Sequence, residues 1–270
     1  MKQEAHTGVY KTALKNGTIS YRTSIVYNGK HISLGSYDTL KKASAVYDES
    51  YYILHSDNFS ITSYKKGMNI PFEKCVILIN FRDKGIYIPT PIYLEKKYFL
   101  YYLSTDKILK FDIDDLFYYS SHKIMQRGSH LFVADYGSQL SVLQRYGIKS
   151  YAVPGRDYRF ANDDPNDLRY ENIIVLNRYH GVRQFAHKGF IKYKTYIHIK
   201  SNYVVGVYDS EAEAAIAYNK AADILKKNGV NKNYQQNYIE DLSASQYADF
   251  YIKIKIAPKI YQLKSSKKGK

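Results

Sequence analysis

Two stretches decide the fold: GSYDTLKKASAVYD, residues Gly35–Asp48, and GVYDSEAEAAIAYN, residues Gly206–Asn219. They lie 171 residues apart and share glycine, tyrosine and aspartate at their start, then alanine and tyrosine four residues apart. Reading upstream from each gives GVYKTALKNGTISYRTSIVYNGKHISLGSYDT and GVRQFAHKGFIKYKTYIHIKSNYVVGVYDS. Both begin with Gly-Val, pass through a strand-like run to Tyr-x-Thr-x-Ile, and end a third run at glycine. Tyr21, Thr23 and Ile25 alternate with Arg22, Ser24 and Val26; Tyr193, Thr195 and Ile197 alternate with Lys194, Tyr196 and His198. A period of two, punctuated by turn residues such as Asn28-Gly29, predicts short strands in a small antiparallel sheet.

After Asp38-Thr39 and Asp209-Ser210 the period changes. Thr39 and Ser210 suit helix N-caps, and Glu213 stands three residues after Ser210 as in a capping box. The helix beyond each cap presents Ala43, Tyr47, Ser50 and Leu54 on one face, and Ala214, Tyr218, Ala221 and Leu225 in the second copy. Small residues there let a helix lie close to a sheet. Each unit is about 45 residues long, near the lower size for an independent domain, so it is expected to lean on its neighbours.

A helix covers one sheet face and leaves the other open. On that open face the alternation puts Tyr10, Thr12, Arg22, Ser24, His31 and Ser33 in the first copy. The second has Arg183, Phe185, Lys194, Tyr196, His198 and Val204. Polar, basic and aromatic groups interleaved on one sheet suit a nucleic-acid groove, where base edges are read while Lys and Arg hold phosphates. A plain solvated face would not need Phe185, Tyr196 and Val204 together.

Charge points the same way. The chain of 270 residues has 40 Lys and Arg against 25 Asp and Glu, a formal net charge of +15. That excess predicts a polyanionic partner, nucleic acid ahead of a membrane surface. It is uneven: residues 1–55 carry +3, 56–128 carry +3, 129–178 carry zero, 179–230 carry +4 and 231–270 carry +5. No apolar run approaches the ~20 residues of a membrane span, so no membrane partner is expected. One cysteine, Cys75, allows neither an internal disulfide nor a cysteine zinc site, and its apolar surroundings predict a reduced core thiol. With MKQEAHTG lacking an apolar leader stretch, the expectation is an intracellular, cytoplasmic protein, nucleoid-associated if bacterial. Most of the 31 tyrosines are expected on half-buried strands.

Gly-Val, Tyr-x-Thr-x-Ile, Leu34-Gly35-Ser36-Tyr37-Asp38-Thr39 and Ala43-x-x-x-Tyr47-Asp48 resemble the APETALA2/ethylene-response-factor DNA-binding domain. The second copy, with EAEAAIAYNKAA, is similar and in its helix closer still. The resemblance covers roughly residues 8–54 and 180–226, about a third of the chain. It implies three strands and a helix, with the sheet in the major groove. Its contacting positions fall on Tyr10, Thr12, Arg22, Ser24, His31, Ser33 and their second-copy partners. Arginine and tryptophan are frequent there in the family; this chain has no Trp and has only Arg183 on the first strand, so the target sequence is not inherited.

Between the repeats, 56–128 reads as strand-rich, with strands over KCVILINF and GIYIPTPIYL and a helical piece around IDDLFYY. SHLFVADYGSQLSVLQRYGI predicts two strands joined at Asp135-Tyr136-Gly137-Ser138. In 129–178, GRDYRFANDDPNDLRYENIIVLN is similar to the latter half of an HNH endonuclease motif, through Asp167, Arg169, Glu171, Asn172 and Ile173. That resemblance implies a metal-dependent nuclease using Asp157, Asp167 and Asn172, with Asp163 and Asp164 as further carboxylates. Its histidine base, however, would fall on Arg159 or Phe160, and neither accepts a proton at neutral pH. The expectation is therefore no catalytic residue, no metal and no cofactor, a divalent ion entering only with the nuclease alternative. Asp167 and Asn172 are expected to serve a loop and cap network. Beyond 230, NYIEDLSASQYADFYIKIKI suggests a short helix from near Leu242, then a strand-like alternation. KSSKKGK at the end is a charge run, read either as a solvated tail or, beside a DNA-binding unit, as a source of phosphate contacts without sequence preference.

Together these readings predict an α+β protein: two small units of a three-stranded antiparallel sheet plus a helix, 1–55 and 179–230, flank a central mixed, strand-rich region. A helix and basic tail complete the chain over 231–270. The expected function is sequence-specific binding of double-stranded DNA, in regulation of transcription or of a mobile element. The alternatives are an HNH-type homing endonuclease with a divergent metal site, and RNA binding by tyrosine-rich sheets.

Overall fold

The computed structural model describes residues 7–13, 17–149 and 152–264. The chain forms two compact units. One comprises Met1–Val142 with Asp164–Asn172; the other comprises Leu143–Asp163 with Ile173–Lys270. The fold is α+β, built from several small antiparallel sheets and a few helices.

In the first unit, β1 (Val9–Ala13), β2 (Ile19–Tyr27) and β3 (Lys30–Tyr37) form an antiparallel sheet backed by α1 (Leu40–His55). The Thr39 hydroxyl caps α1 by accepting from the Lys42 N–H at 3.2 Å. Val9, Thr23, Ile25, Ile32 and Leu34 point at this helix and are buried. Ala43, Val46, Ser50, Ile53 and Leu54 answer from α1, while Tyr47 is only half-buried.

This sheet and helix lean on the segment that follows them in the same unit, as their small size predicts. Ile70, Cys75, Leu78, Ile79 and Phe81 complete the same core. They come mostly from α2 (Phe72–Lys84), where the sequence pattern predicts a strand over KCVILINF. Residues Cys75 to Phe81 are all buried, so no polar face reveals the helical period, and an apolar run broken only by Asn80 fits either element. The stops are local: Pro71 precedes the first turn, and Gly85 closes the last at φ 71°. Asn80 ties the helix to the succeeding loop and strand, donating to Ile86 O and accepting from Leu94 N, both at 2.9 Å.

Of GIYIPTPIYL only Ile92–Leu94 is strand, because Pro89 and Pro91 cannot donate to a ladder. This β4 pairs with β5 (Tyr98–Tyr102), and β5 with β6 (Ile108–Asp112). A 3-10 turn and α3 (Leu116–Ser121) occupy IDDLFYY, as expected. A third sheet comes next: β7 (Ile124–Arg127), β8 (His130–Asp135) and β9 (Ser138–Ser141), with the last two joined at the expected turn.

In the second unit, β10 (Tyr158–Phe160) pairs with β11 (Ile173–Val175). The repeat then returns as β12 (Val182–His187), β13 (Phe190–His198) and β14 (Asn202–Tyr208), with α4 (Glu211–Lys227) behind. Ser210 and Glu213 form the capping box in full. Buried Ala214, Ala217, Ala221 and Leu225 bring α4 onto Thr195, Ile197 and Val205, and Thr195 donates to Ala214 O at 2.8 Å. Past α4 come α5 (Ala244–Lys253), capped by Ser243, and α6 (Pro258–Gln262). The expected strand over YIKIKI is absent from the described residues. Tyr251–Lys253 end α5, and residues 254–257 run extended so that Ile256 packs into the α4 core while Ala257 N donates to Val205 O at 2.7 Å. Of the basic tail, all but Lys264 lies outside the described residues.

Candidate nucleic-acid interface

Cross-strand register decides which side chains share a face. In the first sheet Tyr10 is opposite Arg22, and Arg22 opposite Ser36; Thr12 faces Ser20, Ser24 faces Ser33, and Val26 faces His31. These residues point away from α1. All six positions chosen from sequence, Tyr10, Thr12, Arg22, Ser24, His31 and Ser33, therefore lie on one open face. Val26 and Ser36 join them, whereas Ser20, on the same side by register, is buried at 7% exposure. Tyr10 and Val26 are 62% and 65% exposed, high for such apolar bulk.

The second sheet repeats this geometry with different chemistry. Arg183, Lys194 and Val207 form one cross-strand row, Phe185 faces Lys192, Tyr196 faces Val204, and His198 faces Asn202. The six expected residues again share one face. Cations and rings on it are interleaved: the Arg183 guanidinium lies 4.8 Å from the Tyr196 ring centre, and Lys194 Nζ 5.0 Å from that of Phe185. Such contacts hold long side chains in place while leaving their charge available. His198 Nδ1 and Asn202 Oδ1 are hydrogen-bonded at 3.0 Å. Lys192 pairs with Asp209. The sequence reading passed over Lys192, Asn202 and Val207, although the same alternation would have found them.

Both sheets carry a bulge at the matching place, between Thr23 and Ser24 and between Thr195 and Tyr196. The repeated Gly-Val has a physical cause. Gly8 at φ 71° and Gly181 at φ 76° bring the backbone under the helix tyrosine. A Cβ would lie 2.3 Å from Tyr47 Cε2 and 2.4 Å from Tyr218 Cδ2, respectively. Their carbonyls accept from Ser24 N at 2.9 Å and Tyr196 N at 2.7 Å.

The HNH-like segment is arranged differently. Asp167 and Asn172 belong to the first unit and Asp157 to the second. Asp167 is 4% exposed, and its carboxylate accepts from Arg169 Nε at 2.9 Å and Nη2 at 2.7 Å. Burial alone would raise that carboxyl, but the Arg169 side chain and N–H outweigh it and hold it below the usual carboxylate range. Asn172 donates to Asp164 O at 3.2 Å and Asp167 O at 2.7 Å, and Leu168 N donates to Lys110 O at 2.8 Å. Asp164–Asn172, between β10 and β11, is thus laced to itself and to β6. Asp157 accepts from Val153 N and Arg156. Among the described residues no group of three or more His, Cys, Asp or Glu is gathered as a metal would need. Among them, too, no helix is long and apolar enough to cross a membrane. Comparison with family models, curated proteins and solved structures found no match to this chain.

Proposed function

We propose that this chain is a sequence-specific double-stranded DNA-binding protein that reads the major groove with its open sheet faces, as a regulator of transcription or of a mobile element. One observation carries the reading. Arg183, Phe185, Lys194, Tyr196, His198 and Val204 share the face opposite α4, with each of two cations seated on a neighbouring ring. Three strands ~4.8 Å apart span ~10 Å, which suits a groove ~12 Å wide. The net charge of +15 supplies the attraction to phosphate. The nuclease alternative draws less support, because the Asp167 carboxylate and the Asn172 amide are committed to the loop that holds them.

The test is selection of bound sites from random duplexes, followed by competition with RNA of the same sequence. A recurrent duplex motif that RNA does not compete for is expected. Equal binding of all duplexes, or preference for RNA, would refute the reading.

A further inference from the structure

Within the second unit, one end of the sheet opens into a cavity of about 200 Å³. It is much larger than the ~10–15 Å³ one water needs, and smaller than the ~300 Å³ at which drug-sized pockets begin. Its lining is one-sided in charge: Lys149, Arg156, Arg178, Arg183 and Lys232 contribute five cations, and Asp157 the one carboxylate. Asp157 is already taken by Arg156, at 2.5 Å, and Arg178 by Glu211, at 2.9 Å. Among the described residues no carboxylate pairs with Lys149, Arg183 or Lys232. Tyrosine rings supply the apolar wall, Tyr196 and Tyr234 among them. Lys232 is positioned by donating to His198 O at 3.0 Å. Burial first, and then the nearby Lys232, push the His180 imidazole below its ordinary pKa, with Asp157 opposing them.

We propose that this cavity is a phosphate-binding subsite that seats one nucleotide unit, its phosphate drawn by Lys149, Arg183 and Lys232 and its sugar or base lying against Tyr196 and Tyr234. Five cations around one pocket against a single carboxylate attract an anion, and a nucleotide's phosphate meets the cations while its sugar or base meets the aromatic wall. Arg183, Tyr196 and His198 belong both to the cavity and to the open face. The subsite therefore deepens the DNA-binding reading and, for a backbone phosphate, rests on it. The same chemistry has two sources, a phosphodiester of bound DNA or a free nucleoside monophosphate.

Two arms separate them, using the full chain and the variants Lys149→Gln and Lys232→Gln. The first titrates fluorescent duplexes across salt concentrations. If a backbone phosphate fills the cavity, each variant lowers the slope of log K against log salt by about 0.9 and weakens all sequences alike. The second arm follows thermal unfolding with deoxythymidine monophosphate, thymidine or inorganic phosphate. If a free nucleotide fills the cavity, the monophosphate stabilises the wild type more than thymidine or phosphate does. Both variants then lose that effect while keeping the duplex slope. The Lys149 side chain makes no hydrogen bond among the described residues, so its replacement tests charge without disturbing the fold. Unchanged slopes together with no variant-sensitive monophosphate effect would overturn the subsite. If the wild type binds no duplex, the DNA-binding reading fails by itself, and the monophosphate arm alone decides the cavity.

Discussion

Gly181→Ala tests the physical reason for the repeated Gly-Val. At φ 76° any residue with a Cβ adopts a left-handed conformation that costs about 1–2 kcal/mol. The added methyl would also stand 2.4 Å from Tyr218 Cδ2 and 2.5 Å from Tyr196 O. Tyr218 is 2% exposed and packed in the α4 core, so it has little room to retreat. Overpacking of that kind adds about 1–3 kcal/mol, for a total of about 2–5 kcal/mol. Gly189 isolates the two contributions: it has φ 81°, yet a Cβ there meets no heavy atom within 4 Å. Gly189→Ala should cost only the conformational part. Urea denaturation followed by circular dichroism measures both losses, and hydrogen exchange at the β12 and β13 amides localises them. Combining Gly181→Ala with Tyr218→Ala should give less than the sum of the single losses by at least ~1 kcal/mol, because the second change removes the obstacle. Equal losses for Gly181→Ala and Gly189→Ala, or strict additivity in the cycle, would refute the close approach as the reason for glycine.

Arg183→Ala should weaken binding to the selected duplex by about 1–3 kcal/mol and flatten preference at one base pair, read by anisotropy on a panel of single-base variants. Asn219 is 1% exposed and bridges Asn237 N, Asn237 O and Tyr247 OH, so Asn219→Ala should cost about 2–4 kcal/mol in urea denaturation by stranding those groups. Burial pushes the Cys75 thiol up to about 12 from 9.0, so it should resist maleimide at pH 8 until denaturant is added. Between pH 9 and 12 the unfolded chain loses that proton while the folded chain keeps it; the Cys75→Ala variant should therefore lose less stability than the wild type as pH rises through this window. With Mg²⁺ or Mn²⁺, supercoiled DNA should stay intact on an agarose gel; specific cleavage abolished by Asp167→Ala or Asn172→Ala would revive the nuclease reading.

Legibility in the sequence followed exposure. Where one face is buried and the other wet, alternation survives in the letters, and the register pairs Tyr10 with Arg22 and Arg183 with Lys194 on the faces that alternation implies. The caps at Thr39 and Ser210 were equally local and equally readable. Residues Cys75–Phe81 were not, since a helix buried on all sides has no polar stripe to give its period. YIKIKI misled for the opposite reason: its alternation is real, but Ile252 ends a helix and is 76% exposed, whereas Ile256 plugs the α4 core from extended chain. The cavity escaped altogether, because Lys149, Arg178 and Lys232 come from separate connecting segments with no shared periodicity.

The two copies differ where difference is physically free. Gly8 and Gly181, Val9 and Val182, Thr23 and Thr195, Ile25 and Ile197, Tyr47 and Tyr218 are identical pairs, and each touches the helix side of its sheet or allows the helix to approach. Their spacing slips by one residue at each hairpin, so the length changes are absorbed in turns and the paired strands keep their register. Positions on the other face obey no such constraint: Tyr10, Arg22 and Ser24 correspond to Arg183, Lys194 and Tyr196. A side chain pointing away from the core can change without cavity or overpacking cost, and only its partner restrains it. The repeat is thus a shared frame bearing two surfaces. The hydroxyls of the first face rotate and can both donate and accept, whereas Arg183 and Lys194 set on rings offer fixed donors and apolar contacts. Under the proposed DNA-binding function, base discrimination is expected of the second surface, and extension of the footprint is expected of the first; Arg183→Ala and Arg22→Ala compared on the same panel of single-base variants separate the two.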